Sequence, residues 1–333
     1  MRRIFIDNKV KIQAKEYADT MTSNAYNLLH WREDKMPLAN LKRFYKYLCQ
    51  NVDYQEQSRY VLNIILIYKN LQMLPPDMFE EVHQLFFKQF GEDILTVKIN
   101  YDNSDQEFYK HVIDCMRYTS IRSGLMREYI KKQHIKACVY CNAQYAITTD
   151  EFEEDGKKKR IGTYQFDHFW PESKFPYLCT CYFNLQPSCP TCNDSKSDGD
   201  SLFNLYTNNE KDQDVFWFVL TPSKSLDSYV GEDMEQLQVT LNSTDTDLLK
   251  NHQKLFHIDQ IYTQHIEVVQ EIMVKLRSNK DSYMTSLTEG LPELFVNGID
   301  DPKRFFYGYY MDKEHVHYRP LSKLAQDIVA IFS

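Results

Sequence analysis

The chain has 333 residues, 43% hydrophobic and 26% charged, with only 9 glycines and 11 prolines; this excludes a disordered or fibrous protein and leaves room for about two domains. Met1-Arg2-Arg3-Ile4-Phe5-Ile6-Asp7 turns polar at once, so no secretory signal is expected, and the most apolar stretch, around residues 61–67, is far below the roughly 18 residues of a membrane span. A soluble cytoplasmic protein with no membrane partner is therefore expected, and its net charge of −8 lacks the basic footprint usual for a nucleic-acid binder.

The first 130 residues read as helical. Val61, Leu62, Ile65, Leu66 and Leu71 recur at helix spacing before Pro75-Pro76 stops the run. Met78, Val82, Leu85, Phe86 and Phe90 form one face of a helix that Gly91 ends. Ser104-Asp105-Gln106-Glu107 has the form of a capping box, ahead of one helix running from Phe108 to about Lys132. The texture then changes. Strand-like pieces at 144–148 and 162–166 flank the charged run from Glu153 to Arg160, which suggests a hairpin with a solvated tip. Residues 215–220 read as a buried strand and 237–241 as a half-exposed one. Leu255, Ile258, Tyr262, Ile266, Val269, Met273 and Leu276 follow steps of three and four, as in one long amphipathic helix. A last helix is expected near Leu321.

The cysteines carry the clearest chemistry. Cys49 and Cys115 are isolated and read as small buried hydrophobes; the other six fall between positions 138 and 192. In a reducing compartment such a cluster favours metal over disulfides. Cys138-Val-Tyr-Cys141 and Cys189-Pro-Thr-Cys192 supply four thiolates, enough to close a tetrahedral structural zinc site. The long gap between the pairs has room for a whole hairpin. Cys179 and Cys181 could replace a ligand.

Between the pairs lie Phe166-Asp167-His168-Phe169-Trp170-Pro171 and Asn184-Leu185, and directly after Cys192 comes Asn193. A histidine near neutral pKa can take a proton from water, and carboxylate and amide oxygens suit a hard divalent cation. Asp167 and His168 are adjacent, so a straight strand would turn them to opposite faces; a bend at Phe169-Trp170-Pro171 is needed if both serve one site. His315-Val316-His317 would share one face of a strand but lacks a third ligand, and 305–310 reads as packed aromatic core.

This order of elements resembles the HNH endonuclease family, in its ββα-metal variant with a four-cysteine zinc knuckle. The likeness covers about 60 of the 333 residues. It implies an α+β fold: an N-terminal helical region (1–130), an HNH module (131–205) and a mainly helical C-terminal region with some strand (206–333). It implies His168 as general base, Asp167 and Asn193 as ligands of one catalytic Mg²⁺ or Mn²⁺, Asn184 as the residue that orients the base or its loop, and Cys138, Cys141, Cys189 and Cys192 as ligands of a structural Zn²⁺. Asn193 stands where the name-giving motif has a second histidine. The implied activity is hydrolysis of nucleic-acid phosphodiesters, DNA by analogy alone, leaving 5′-phosphates. Lys196 and the run Lys157, Lys158, Lys159 and Arg160 are candidate phosphate contacts or plain surface. Residues 131–200 hold 9 Lys/Arg against 10 Asp/Glu, so the module needs a bound cation or a partner to attract a polyanion. The segment 319–324 and the large flanks are similar to HNH effectors of Septu-type anti-phage systems, which work beside an ATPase partner. The competing reading is a zinc-stapled nucleic-acid or protein-binding module that does not cut.

Overall fold

The computed structural model describes residues 1–22, 36–152, 158–197, 199–221, 237–278, 280–290, 292 and 301–332. Helices and short two-stranded sheets are mixed along the chain, as an α+β protein requires. Strand β1 (Ile4–Phe5) leads into α1 (Asn8–Thr22), and α2 (Pro37–Leu48) starts on a proline whose missing N–H costs nothing in the first turn. In α3 (Gln55–Gln72) the buried face is Tyr60, Val61, Ile64, Tyr68 and Leu71, whereas Leu66 is 68% exposed. The apolar run around 61–67 circles the helix, so its spacing does not choose a face; the two tyrosines do. After α4 (Phe79–Val82) a π turn at His83–Phe87 shifts the register by one residue. It buries Phe87 and leaves Leu85 exposed, unlike the face expected from the spacing.

The supposed capping box is a hairpin. Following α5 (Asp93–Thr96), strands β2 (Lys98–Tyr101) and β3 (Ser104–Glu107) pair antiparallel about Asp102-Asn103. Both turn residues have positive φ, 53° and 61°, the conformation that matches the twist of a two-residue hairpin and that Asp and Asn tolerate best. The helix expected over 108–132 is three: α6 (Phe108–Cys115), α7 (Tyr118–Ser123) and α8 (Leu125–Lys132). Left-handed Arg117 and then Gly124 break it.

Strands β4 (Thr148–Phe152) and β5 (Lys158–Gly162) do form a hairpin, but it lies closer to the charged tip than the pieces expected at 144–148 and 162–166, and the tip itself lies outside the described residues. Next comes the arrangement that positions the candidate site. β6 (Gln165–His168) pairs antiparallel with β7 (Leu185–Ser188), placing Asp167 opposite Gln186 and His168 opposite Leu185. Helix α9 (Pro190–Lys196) follows at once and packs on β6. A parallel pair joins β8 (Tyr206–Thr207) to β1.

Strands β9 (Trp217–Thr221) and β10 (Gln238–Asn242) pair antiparallel, and β9 alternates buried Phe218 and Leu220 with partly exposed Trp217 and Val219 instead of being buried throughout. The long helix expected over 255–276 is again divided, into α10 (Thr246–Phe256), α11 (Ile258–Thr263) and α12 (Ile266–Arg277). His257 at φ 50° makes the first break. After α13 (Lys280–Gly290) and α14 (Pro302–Tyr307), residues Lys313–Tyr318 form a 3₁₀ turn, not the strand that would put His315 and His317 on one face. The chain ends in α15 (Ser322–Ile331), where the last helix was expected. No helix among the described residues is long and apolar enough to cross a membrane.

Both flanks grip the middle of the chain through buried polar contacts. Tyr17 donates to the Thr180 carbonyl at 2.7 Å, and Thr180 donates to Gln72 Oε1 at 2.8 Å. On the other side, fully buried Asn142 (φ 51°) donates to the Val316 carbonyl at 3.0 Å and accepts from the Lys323 backbone N–H at 3.0 Å. Tyr262 donates to the Cys141 carbonyl at 2.7 Å.

Two buried histidines give the fold a defined response to acid. His252 Nε2 donates to the Tyr140 carbonyl at 2.9 Å and His317 Nε2 to the Arg2 carbonyl at 2.8 Å; in each ring Nδ1 is buried with no partner among the described residues. Protonating Nδ1 would bury a charged donor facing no acceptor. Burial accordingly lowers the two pKa values to about 3 and about 4. The unfolded chain binds these protons near pH 6.5 and the fold does not, so stability holds above that pH and drains away as pH falls toward 4. Urea unfolding at pH 7 and pH 5 is expected to differ by about 2 kcal/mol per histidine. Equal stability at the two pH values would contradict the neutral assignment.

Candidate functional site

The two C-x-x-C pairs meet. Cys138, Cys141, Cys189 and Cys192 are all buried, with their sulfurs within 4.8 Å of one another and the Cys141 and Cys189 sulfurs 4.0 Å apart. Zinc–sulfur bonds of about 2.3 Å in a tetrahedron put sulfurs about 3.8 Å apart, so the cluster fits a zinc ion. The first pair lies on a tight turn. The Cys138 N–H donates to the Gln144 carbonyl at 2.9 Å, the Asn142 N–H to the Cys138 carbonyl at 2.8 Å, and the Ala143 N–H to the Cys141 sulfur at 3.4 Å. The second pair spans the start of α9, with Cys189 as N-cap and Pro190 at the first helical position. Burial pushes the Cys138 thiol up, while hydrogen bonding from Cys138 pulls Cys189 down. A cation is what would let all four ionise together. Cys179 and Cys181 stand apart: their sulfurs meet Met116 Sδ at 3.7 Å and the Leu74 carbonyl at 3.4 Å. Of the two isolated cysteines, Cys115 is buried as expected and Cys49 is exposed.

Asp167 and His168 face different neighbours, as strand alternation demands. Asp167 looks toward α9 and the first cysteine turn. Its Oδ1 accepts from Lys196 Nζ at 2.9 Å and its Oδ2 from the Tyr140 hydroxyl; Gln186 Nε2 donates to that same hydroxyl at 2.9 Å. Burial pushes the Asp167 carboxyl up, and the Lys196 ammonium and the Tyr140 hydroxyl draw it partly back. His168 looks toward α7, its ring 4.8 Å from that of Tyr118. Its Nε2 lies 3.0 Å from the Cys179 carbonyl, which can only accept, so Nε2 carries the proton and Nδ1 keeps the lone pair. Burial lowers the His168 pKa to about 4. The imidazole is thus neutral near pH 7, with a free lone pair, but burial makes it a weaker base than the near-neutral histidine expected from the sequence. Lys196 links the two residues, because its Nζ also donates to the His168 carbonyl at 2.6 Å.

Asn184 closes the long loop between β6 and β7. It is fully buried, accepts from the Trp170 N–H at 2.8 Å, and donates to the carbonyls of Trp170 and Leu178 at 3.0 and 3.1 Å. Asn184→Ala strands these backbone groups in a dry interior, and urea unfolding is expected to show a loss of about 2–4 kcal/mol. An undiminished midpoint would remove Asn184 from the framework.

Asn193 lies one helical turn before Lys196. It donates to Gln165 Oε1 at 2.6 Å, and the Ser188 hydroxyl approaches its Oδ1 at 3.5 Å. Asp167 and Asn193 offer the hard oxygen donors that Mg²⁺ or Mn²⁺ takes, but each is engaged with its own partner. In this resting structure Lys196 departs from the surface position expected of it. It is 3% exposed and paired with Asp167, neither a solvated side chain nor one facing outward to phosphate. Lys158, Lys159 and Arg160 lie on β5, with their side chains outside the described structure, and Lys157 lies outside the described residues.

Sequence reasoning missed Tyr140, Gln186 and Glu172. Tyr140 sits inside the first cysteine pair, where it reads as filler, and Gln186 faces Asp167 across the ladder; that second link follows once β6 and β7 are paired. Glu172 Oε2 lies 3.5 Å from His168 Nε2. Its carboxyl is pushed up by burial and drawn back by Arg122. The chain matches no protein-family model, no curated protein and no solved structure, so the meaning of this site rests on its own residues.

Proposed function

We propose that the chain is a metal-dependent endonuclease of the HNH type that hydrolyses phosphodiester bonds, in DNA by analogy with the family it resembles. The observation that carries this reading is His168: a buried, neutral imidazole with Nε2 committed to a carbonyl and Nδ1 left as a base, next in sequence to a carboxylate. Nδ1 takes the proton of the attacking water. The Cys179 carbonyl holds the ring and fixes its tautomer, and Asn184 holds the loop that supplies that carbonyl. A divalent ion on Asp167 and Asn193 would supply positive charge for the phosphoryl and leaving oxygens once the end of β6 bends to bring Asp167 and His168, which face different neighbours at rest, to one site. The zinc cluster does no chemistry; it fixes the start of α9 against the first cysteine turn. The near-neutral 131–200 stretch suits an enzyme regulated from outside, and an ATPase partner in an anti-phage setting is the form that the Septu likeness gives.

Purified protein with plasmid and Mg²⁺ or Mn²⁺ is expected to nick DNA, and His168→Ala is expected to slow nicking about 10²–10⁴-fold with the fold intact. Equal cutting by the variant would remove His168 as base. The engaged Asp167–Lys196 pair favours a second reading, a zinc-stapled binding module that does not cut. DNA retention without nicking under either metal, with a candidate partner ATPase supplied, would select that reading.

A further inference from the structure

Lys196 occupies the place that a catalytic cation needs. Its ammonium sits on Asp167 Oδ1 at 2.9 Å and on the His168 carbonyl at 2.6 Å, and the Tyr140 hydroxyl takes the other carboxylate oxygen. Both oxygens of Asp167 therefore already have donors, one of them a full positive charge. A divalent ion and an ammonium within a few ångström of one carboxylate repel each other, and in a buried site water does little to screen them. The lysine is also the last residue of α9, where Ser197 turns into the left-handed region at φ 43°. Its long flexible stem starts at a helix end.

Resting on the nuclease reading, we infer that Lys196 is an internal competitor for the catalytic metal: it holds Asp167 in a latent state, and phosphate oxygens of bound nucleic acid draw it off so that substrate and metal load together. The contact that neutralises the buried carboxylate at rest then becomes a contact to the substrate. Metal affinity measured without nucleic acid is correspondingly low.

The test measures Mn²⁺ binding to the zinc-loaded full chain by electron paramagnetic resonance, for wild type, Lys196→Met and Lys196→Gln, with and without a short DNA duplex and after subtraction of binding to the duplex alone. Lys196→Gln keeps a neutral donor toward Asp167 and covers the case in which the methionine variant does not fold. Zinc content and circular dichroism report folding in each. The variants are expected to bind Mn²⁺ at least about tenfold more tightly than wild type. The duplex is expected to tighten Mn²⁺ binding to wild type and to leave the variants nearly unchanged. Equal Mn²⁺ affinity in wild type and variants would overturn the competition. A duplex without effect on wild type would overturn the displacement by phosphate. Absence of Mn²⁺ binding in every protein, with zinc and fold intact, would instead overturn the reading of Asp167 as a metal ligand.

Discussion

Cys138→Ser is expected to cost the protein its folded state, not merely some stability. Apparent zinc-binding free energies in small four-ligand sites run to about 10–16 kcal/mol, while whole domains are stable by about 5–15 kcal/mol. The loss is not confined to a loop here. The first cysteine turn is where the C-terminal part of the chain takes hold: Tyr262 bonds the Cys141 carbonyl, His252 bonds the Tyr140 carbonyl, and Asn142 bonds backbone on both sides of the turn to α15. Releasing the cysteines frees the anchor of those contacts. Zinc analysis, near-ultraviolet circular dichroism and limited proteolysis should report the variant as zinc-poor and loosened throughout, and a strong chelator acting on wild type should reproduce the effect. A wild type that keeps its melting temperature after its zinc is stripped would contradict the structural role.

Asp167→Ala carries the next largest effect, through the residue it leaves behind. Lys196 is 3% exposed, so removing the carboxylate strands an ammonium in the interior, a change that costs about 3–5 kcal/mol for a buried pair. Lys196→Met is milder in principle, because a lone buried carboxyl can take up a proton. The double variant Asp167→Leu/Lys196→Met fills the same space without charge and is expected to regain most of the loss. Urea unfolding of the two singles and the double closes a mutant cycle. A single Asp167→Ala variant as stable as wild type would mean that the pair is not buried in solution.

Some of this was legible in the sequence because the chemistry forces its own spacing. Four thiolates around one ion typically come as two tight pairs, so Cys138-x-x-Cys141 and Cys189-x-x-Cys192 point to their meeting across a long intervening stretch, and the structure brings them together. Asn193 directly follows Cys192 and so falls in the helix that the second pair opens, whereas Asp167 and His168 lie more than twenty positions from either pair and take their neighbours from the β6–β7 ladder. Helix breaks were illegible where the chain turns left-handed at Arg117 and His257, residue types that carry no turn signal. A capping box and a hairpin compete for Ser104-Asp105-Gln106-Glu107, and the Asp102-Asn103 turn decides for the hairpin. The burial of Lys196 was illegible for a deeper reason. A lysine's place is set by the counter-charge that tertiary packing supplies, and that partner lies 29 positions away on another element.

Tyr140 gives the two halves of this region a shared vulnerability. Its neighbours Cys138 and Cys141 hold its backbone in the sulfur cluster while its hydroxyl reaches Asp167. Thiolates are the oxidisable form of cysteine, and a zinc site keeps four of them in that form. In a zinc-loaded chain, peroxide or a soft electrophile that expelled the metal would loosen the turn that carries Tyr140 and so disturb a donor to the Asp167 carboxylate without touching it.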